Sequence, residues 1–113
     1  PMADAQLDLI DTIVQTVIAW EEELAERYPR LLSRGRPLRS QADGPSVTSL
    51  ETYLRGELAT YSAATLNHLQ AHIEGQKLAG INGAAITLEQ MVARSGYASL
   101  EDAEAQLQSR STL

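Results

Sequence analysis

A long apolar stripe near the start of the chain limits the possible folds more than any other feature. Leu7, Ile10, Val14, Val17, Leu24 and Tyr28 fall on one register of three- and four-residue steps, and Ile13, Ile18 and Trp20 widen the stripe. Asp4 is placed to cap such a helix and Pro29 to end it, so the pattern predicts one helix from about residue 4 to 28. A face this broad must be covered by other elements. One position breaks the pattern: the register set by Val14 and Val17 lands on Glu21. A carboxylate within an apolar stripe must be paired, hydrogen-bonded or protonated.

Composition points the remaining elements toward helices as well. The 113 residues hold sixteen alanines and sixteen leucines but no Phe, whereas a sandwich or barrel calls for β-branched and aromatic residues. Absence of Cys removes disulfides, thiolate nucleophiles and Cys-type metal sites. The longest apolar stretch, Leu7 to Trp20, carries Asp8 and Asp11 and suits neither a membrane span nor a signal segment, so the expected compartment is the cytoplasm. Met2-Ala3 reads as a natural start, with Pro1 left by removal of a tag.

Periodicity fails between Leu31 and Ser46, where Ser33, Gly35, Pro37, Gly44 and Pro45 punctuate an arginine-rich connection. Thr48 and Glu51 then have capping-box spacing and predict a second helix through Leu50, Tyr53, Leu54 and Leu58. Ser62 is a candidate N-cap, so the chain kinks or restarts there. The helix beyond it carries Leu66, Leu69 and Ile73 and stops near Gly80. Thr87 with Gln90 and Ser99 with Asp102 repeat the capping-box spacing, predicting short helices over 88–95 and 100–109, while 109–113 frays. The expected fold is a single all-α domain of about five helices: a long N-terminal helix, an Arg-rich loop, a long central helix kinked or split near Ser62, and a C-terminal helical hairpin.

Three constellations could carry chemistry. His68 and His72 lie four apart, which puts both imidazoles on one helical face, a common way to offer two ligands to zinc, iron or nickel. Glu21 could complete such a metal site, and Tyr61 continues the same stripe. The plainer alternative makes both histidines boundary residues and pairs Glu21 with an Arg or a Tyr hydroxyl. Second, Arg27, Arg30, Arg34, Arg36 and Arg39 supply five of nine cations with no acid between the first and last. Arg forks suit carboxylates and phosphates on a ligand or partner, but they can equally answer Glu21, Glu22, Glu23 and Glu26. Third, Thr87–Leu107 has the outline of a helix-turn-helix. Glu101, Asp102 and Glu104 on its second helix, and a net charge of −6, argue against nucleic acid.

The segments Glu51-Thr-Tyr-Leu-Arg-Gly-Glu-Leu58 and Gly96-Tyr-Ala-Ser-Leu-Glu-Asp-Ala-Glu104, with Tyr61-Ser62 and Thr65-Leu66 between them, resemble a set of short bacterial all-helical proteins of unknown function, over about residues 48–104. The resemblance implies a bacterial cytoplasmic helical domain and no activity. No familiar catalytic pattern is present, which points away from an enzyme. The leading expectation is a non-enzymatic interaction domain. It is expected to be a homodimer, because the first helix carries more apolar surface than a five-helix monomer readily covers. A metal- or cofactor-binding bundle comes second, and an acidic-ligand or DNA-binding module third.

Overall fold

The long stripe forms one helix, and the other elements are arranged around it. The computed structural model describes residues 3–111. Pro1 and Met2, on which the tag and natural-start readings fall, and the last two residues of the expected frayed tail lie outside that range. Six α-helices are present among the described residues: α1 Asp4–Arg27, α2 Pro29–Leu32, α3 Leu50–Leu58, α4 Ala63–Leu78, α5 Gly83–Arg94 and α6 Leu100–Ser111. A short 3-10 turn, Ser40–Ala42, interrupts the connection between α2 and α3. No strand forms among these residues. The all-α expectation is met, with α2 as the added short helix and α6 running two residues further than the sequence suggested.

At 24 residues α1 spans about 36 Å. It packs against α2, α3, α4 and α5, while α6 packs on α2 and α5. Its stripe is shared between two cores. Ile10, Ile13, Val14 and Ile18 meet Leu58, Leu66 and Ile73 in the first. Leu24 and Tyr28 meet Val92, Leu100 and Ala103 in the second. Glu21 falls between Ile18 and Leu24, at the seam. The molecule measures 52 × 38 × 22 Å with a radius of gyration of 15.8 Å, against about 13 Å for a compact chain of this length. A flat body of this kind divides its interior, and the seam between the halves is where a groove can open.

The homodimer expectation rested on excess apolar surface along α1. That surface is largely covered: Ile10 and Val14 are buried and Val17 half-buried by the chain's own helices, leaving Leu7 exposed.

The helix boundaries follow from local hydrogen bonds. Ser62 caps α4 by accepting from the Thr65 N–H at 3.1 Å, so the chain restarts there and does not kink. Three other caps differ from expectation. Asp4 is the first residue of α1, and the N-cap position belongs to Ala3. Ser49, not Thr48, caps α3 through the Thr52 N–H. Asn82, not Thr87, opens α5: it accepts from the Ala85 N–H and donates to the Trp20 carbonyl at 3.0 Å, tying α5 to α1. At the α6 entrance, Ser99 accepts from the Asp102 N–H as its spacing predicts.

The tight α4–α5 turn depends on two glycines. Gly80 takes φ 71°, a left-handed conformation that side-chain-bearing residues rarely adopt. Gly83 lets α5 approach α1, since a Cβ there would lie 2.8 Å from the Trp20 ring.

The cap assignment predicts a contrast. Ser49→Ala loses about 1 kcal/mol of stability because a buried cap disappears, whereas Thr48→Ala stays within a few tenths of a kcal/mol of the parent. Urea denaturation of the two variants checks this, and a larger loss in Thr48→Ala than in Ser49→Ala would return the cap to Thr48.

Candidate functional site

Carboxylates hold the arginine-rich connection in place. Glu104 of α6, only 5 % exposed, accepts from the backbone N–H groups of Leu31 at 2.9 Å and Arg30 at 3.1 Å, and from the Gln108 amide at 3.1 Å. Burial pushes this carboxyl up, but the donors outweigh it and leave it below the usual range. Tyr28 donates its hydroxyl to Glu101 at 2.6 Å, with Arg27 4.0 Å from the same oxygen. At the other end, buried Glu51 accepts from the Ser40 N–H at 2.8 Å, which lowers its pKa, and from Arg55. Asp43 accepts from the Ser49 N–H and the Thr52 hydroxyl. The Pro37 and Leu38 carbonyls take the N–H groups of Leu50 and Glu51, so the first turn of α3 is satisfied by the connection itself.

Thus anchored, the connection roofs the seam on α1 and encloses an open groove of about 440 Å³. Its walls are Leu31 and Leu32 from α2, Leu38 from the connection, Leu50 from α3, Leu88, Met91 and Val92 from α5, and Tyr97 and Leu107 beyond. Glu21 contributes a carboxylate to this apolar lining. It makes no hydrogen bond or ion pair with any described residue, and burial raises its pKa. Arg34 and Arg36 lie at the same groove. The Arg36 guanidinium is engaged, donating to the Thr48 carbonyl at 3.2 Å and lying 4.6 Å over the Tyr53 ring. Arg34 is exposed and has no such partner among the described residues.

The expected site residues therefore separate. Arg39 answers the protein's own acids, pairing with Glu22 at 2.7 Å and donating to Gln15 at 2.9 Å. Arg27 lies by Glu101 and over the Tyr28 ring, and Arg30 is held through its backbone. His68 and His72 are both exposed on α4, opposite buried Leu66 and Ile73, and His68 borders a shallow depression with Ala64, Asn67 and Ala71. Neither histidine reaches the groove that holds Glu21. The Tyr61 hydroxyl donates to Glu57 at 3.1 Å. Among the described residues no three His, Cys, Asp or Glu are placed to hold a metal ion, so the composite Glu21/His68/His72 site is not assembled. The helix-turn-helix outline is also put to a different use, since α6 packs against α2 and buries Glu104 and Leu107.

The α5 side of the groove escaped sequence reasoning, although Leu88, Met91, Val92 and Ser95 follow an i, i+3, i+4, i+7 pattern. Spacing alone does not distinguish that pattern from an ordinary core face. Its distinguishing feature is that Met91 remains 52 % exposed.

The two carboxylates should respond oppositely to substitution and pH. Glu104 has a lowered folded pKa, so its stabilisation is present above about pH 4.3 and is lost as pH falls through the folded value. For Glu21, raised in the folded state, the sign reverses: its relative stabilisation is present below about pH 4.3 and lost as pH rises through the folded value. Glu104→Ala is expected to lose about 2 kcal/mol at pH 7, and Glu21→Gln to unfold at or above the parent temperature. Thermal unfolding at pH 7 and pH 4 checks both; a large loss in Glu21→Gln would make Glu21 a structural residue.

Comparison with curated proteins and with solved structures finds no match to this chain. Two of its anchoring carboxylates, Glu51 and Glu104, lie in the segments that carry the family resemblance. A family model matches residues 1–105, which include the connection, both anchors and most of the groove, and the chain belongs to that family, DUF4125, proteins of unknown function.

Proposed function

We propose that this protein is a non-enzymatic interaction domain whose groove between α1, the connection and α5 receives an apolar group of a ligand or partner. The observation that carries the reading is the apolar lining around the unpartnered Glu21. Binding sites of this kind are concave and mostly apolar, with a few polar groups that orient the occupant. At about 440 Å³ the groove suits one compact ligand or a pair of large side chains. Binding fits better than turnover because the other carboxylates near the connection hold backbone amides and hydroxyls, which leaves Glu21 without a proton-relay partner.

Self-association is a second reading, through a different surface from the one the sequence suggested. Leu78 at the end of α4 is 89 % exposed, and Ile81 in the following turn and Ile86 in the first part of α5 are exposed as well. On this reading light scattering gives a dimer that Leu78→Asp converts to monomer; a monomeric parent at high concentration would remove it.

The groove reading is tested with a neutral apolar probe. Octan-1-ol titrated into labelled protein is expected to shift the amide resonances of residues 31–35 and 88–95, and Met91→Glu to weaken that response severalfold. Shifts spread evenly over the protein, or none in those segments, would overturn the reading.

A further inference from the structure

We infer that the groove is selective for amines: its occupant presents a protonated ammonium group to Glu21 and lays its apolar body against Leu31, Leu88 and Met91. The inference rests on the groove reading above and adds the chemistry of the head group. A carboxylate partly withdrawn from water, with no donor from the protein, gains both hydrogen bonds and opposite charge from a cation entering the groove. Among the described residues nothing within the protein does so for Glu21. The nearby acids are committed elsewhere: Glu22 is held by Arg39, and Glu104 by the Arg30 and Leu31 amides.

Arg34 and Arg36 are the opposing charges at this groove, and they favour anions. Their influence is the weaker of the two. Both are exposed, where water and salt screen them, and Arg36 is turned to the Thr48 carbonyl and the Tyr53 ring. Glu21 is half-buried among apolar walls, where the lower dielectric strengthens its field. The net charge of −6 adds a long-range bias in the same direction, drawing cations and repelling acids.

Three probes with one hydrocarbon body separate the possibilities: octylammonium, octanoate and octan-1-ol, each titrated at pH 7 below its aggregation threshold while amide and carboxyl resonances are followed. Octylammonium is expected to bind about tenfold more tightly than octan-1-ol, a difference of about 1.4 kcal/mol, and to shift the Glu21 carboxyl resonance. In Glu21→Gln the preference disappears while octan-1-ol still binds, which shows that the variant keeps its groove. Equal affinity for the three probes overturns amine selectivity and leaves the apolar groove standing. Tightest binding of octanoate also overturns it, assigning the head group to Arg34. If no probe perturbs residues 31–35 and 88–95, the groove reading falls and this inference with it.

Discussion

Two backbone amides, those of Arg30 and Leu31, converge on the buried carboxylate of Glu104, and the arrangement of the arginine-rich connection depends on that contact. The amides belong to the first turn of a helix only four residues long, which cannot satisfy its own N-terminal donors. Glu104 supplies the acceptors from α6, and the donors in turn hold its charge in a place where an unpaired carboxylate would be costly. The contact joins residues more than seventy positions apart and sets α2 against α6. Glu51 does the same at the far end by holding Ser40. Between these anchors the connection closes over α1.

This explains why Glu21 stands apart. The acids that sit in apolar surroundings have found donors, and those at the surface need none. Glu21 is half-buried at the seam of two small cores, in a flat molecule whose interior does not close there. Its position belongs to the α1 stripe, where a leucine would pack against the same walls. Retaining a carboxylate at that position sacrifices apolar contact without gaining a hydrogen bond within the described structure. In the proposed binding role a ligand supplies the donor, which links the helix register to the groove.

Much of the architecture is readable from the residues because it depends on local rules. The α1 stripe, the restart at Ser62 and the cap at Ser99 are each written within a few residues of where they act. Two of the misplaced caps share one cause. Thr48 with Glu51 and Thr87 with Gln90 have the spacing of capping boxes, yet Ser49 and Asn82 take the caps. In the first case Glu51 reaches across the connection to Ser40; in the second, Asn82 gains a bond to Trp20 of α1. Tertiary partners decided between competing local signals. The site is legible in the same measure. Glu21 stands out from its register alone, but its separation from His68 and His72, and its place in one groove with Met91, follow from how α1, α4 and α5 are rotated about one another.

Glu104 and Glu51 hold the fold while Glu21 is proposed to serve a ligand, and a site-resolved pH titration followed by carboxyl carbon resonances reads that distinction directly. The predicted result is that Glu104 and Glu51 titrate below the ordinary glutamate value and Glu21 above it. Glu21 titrating with the exposed glutamates, or Glu104 titrating above them, would contradict the account.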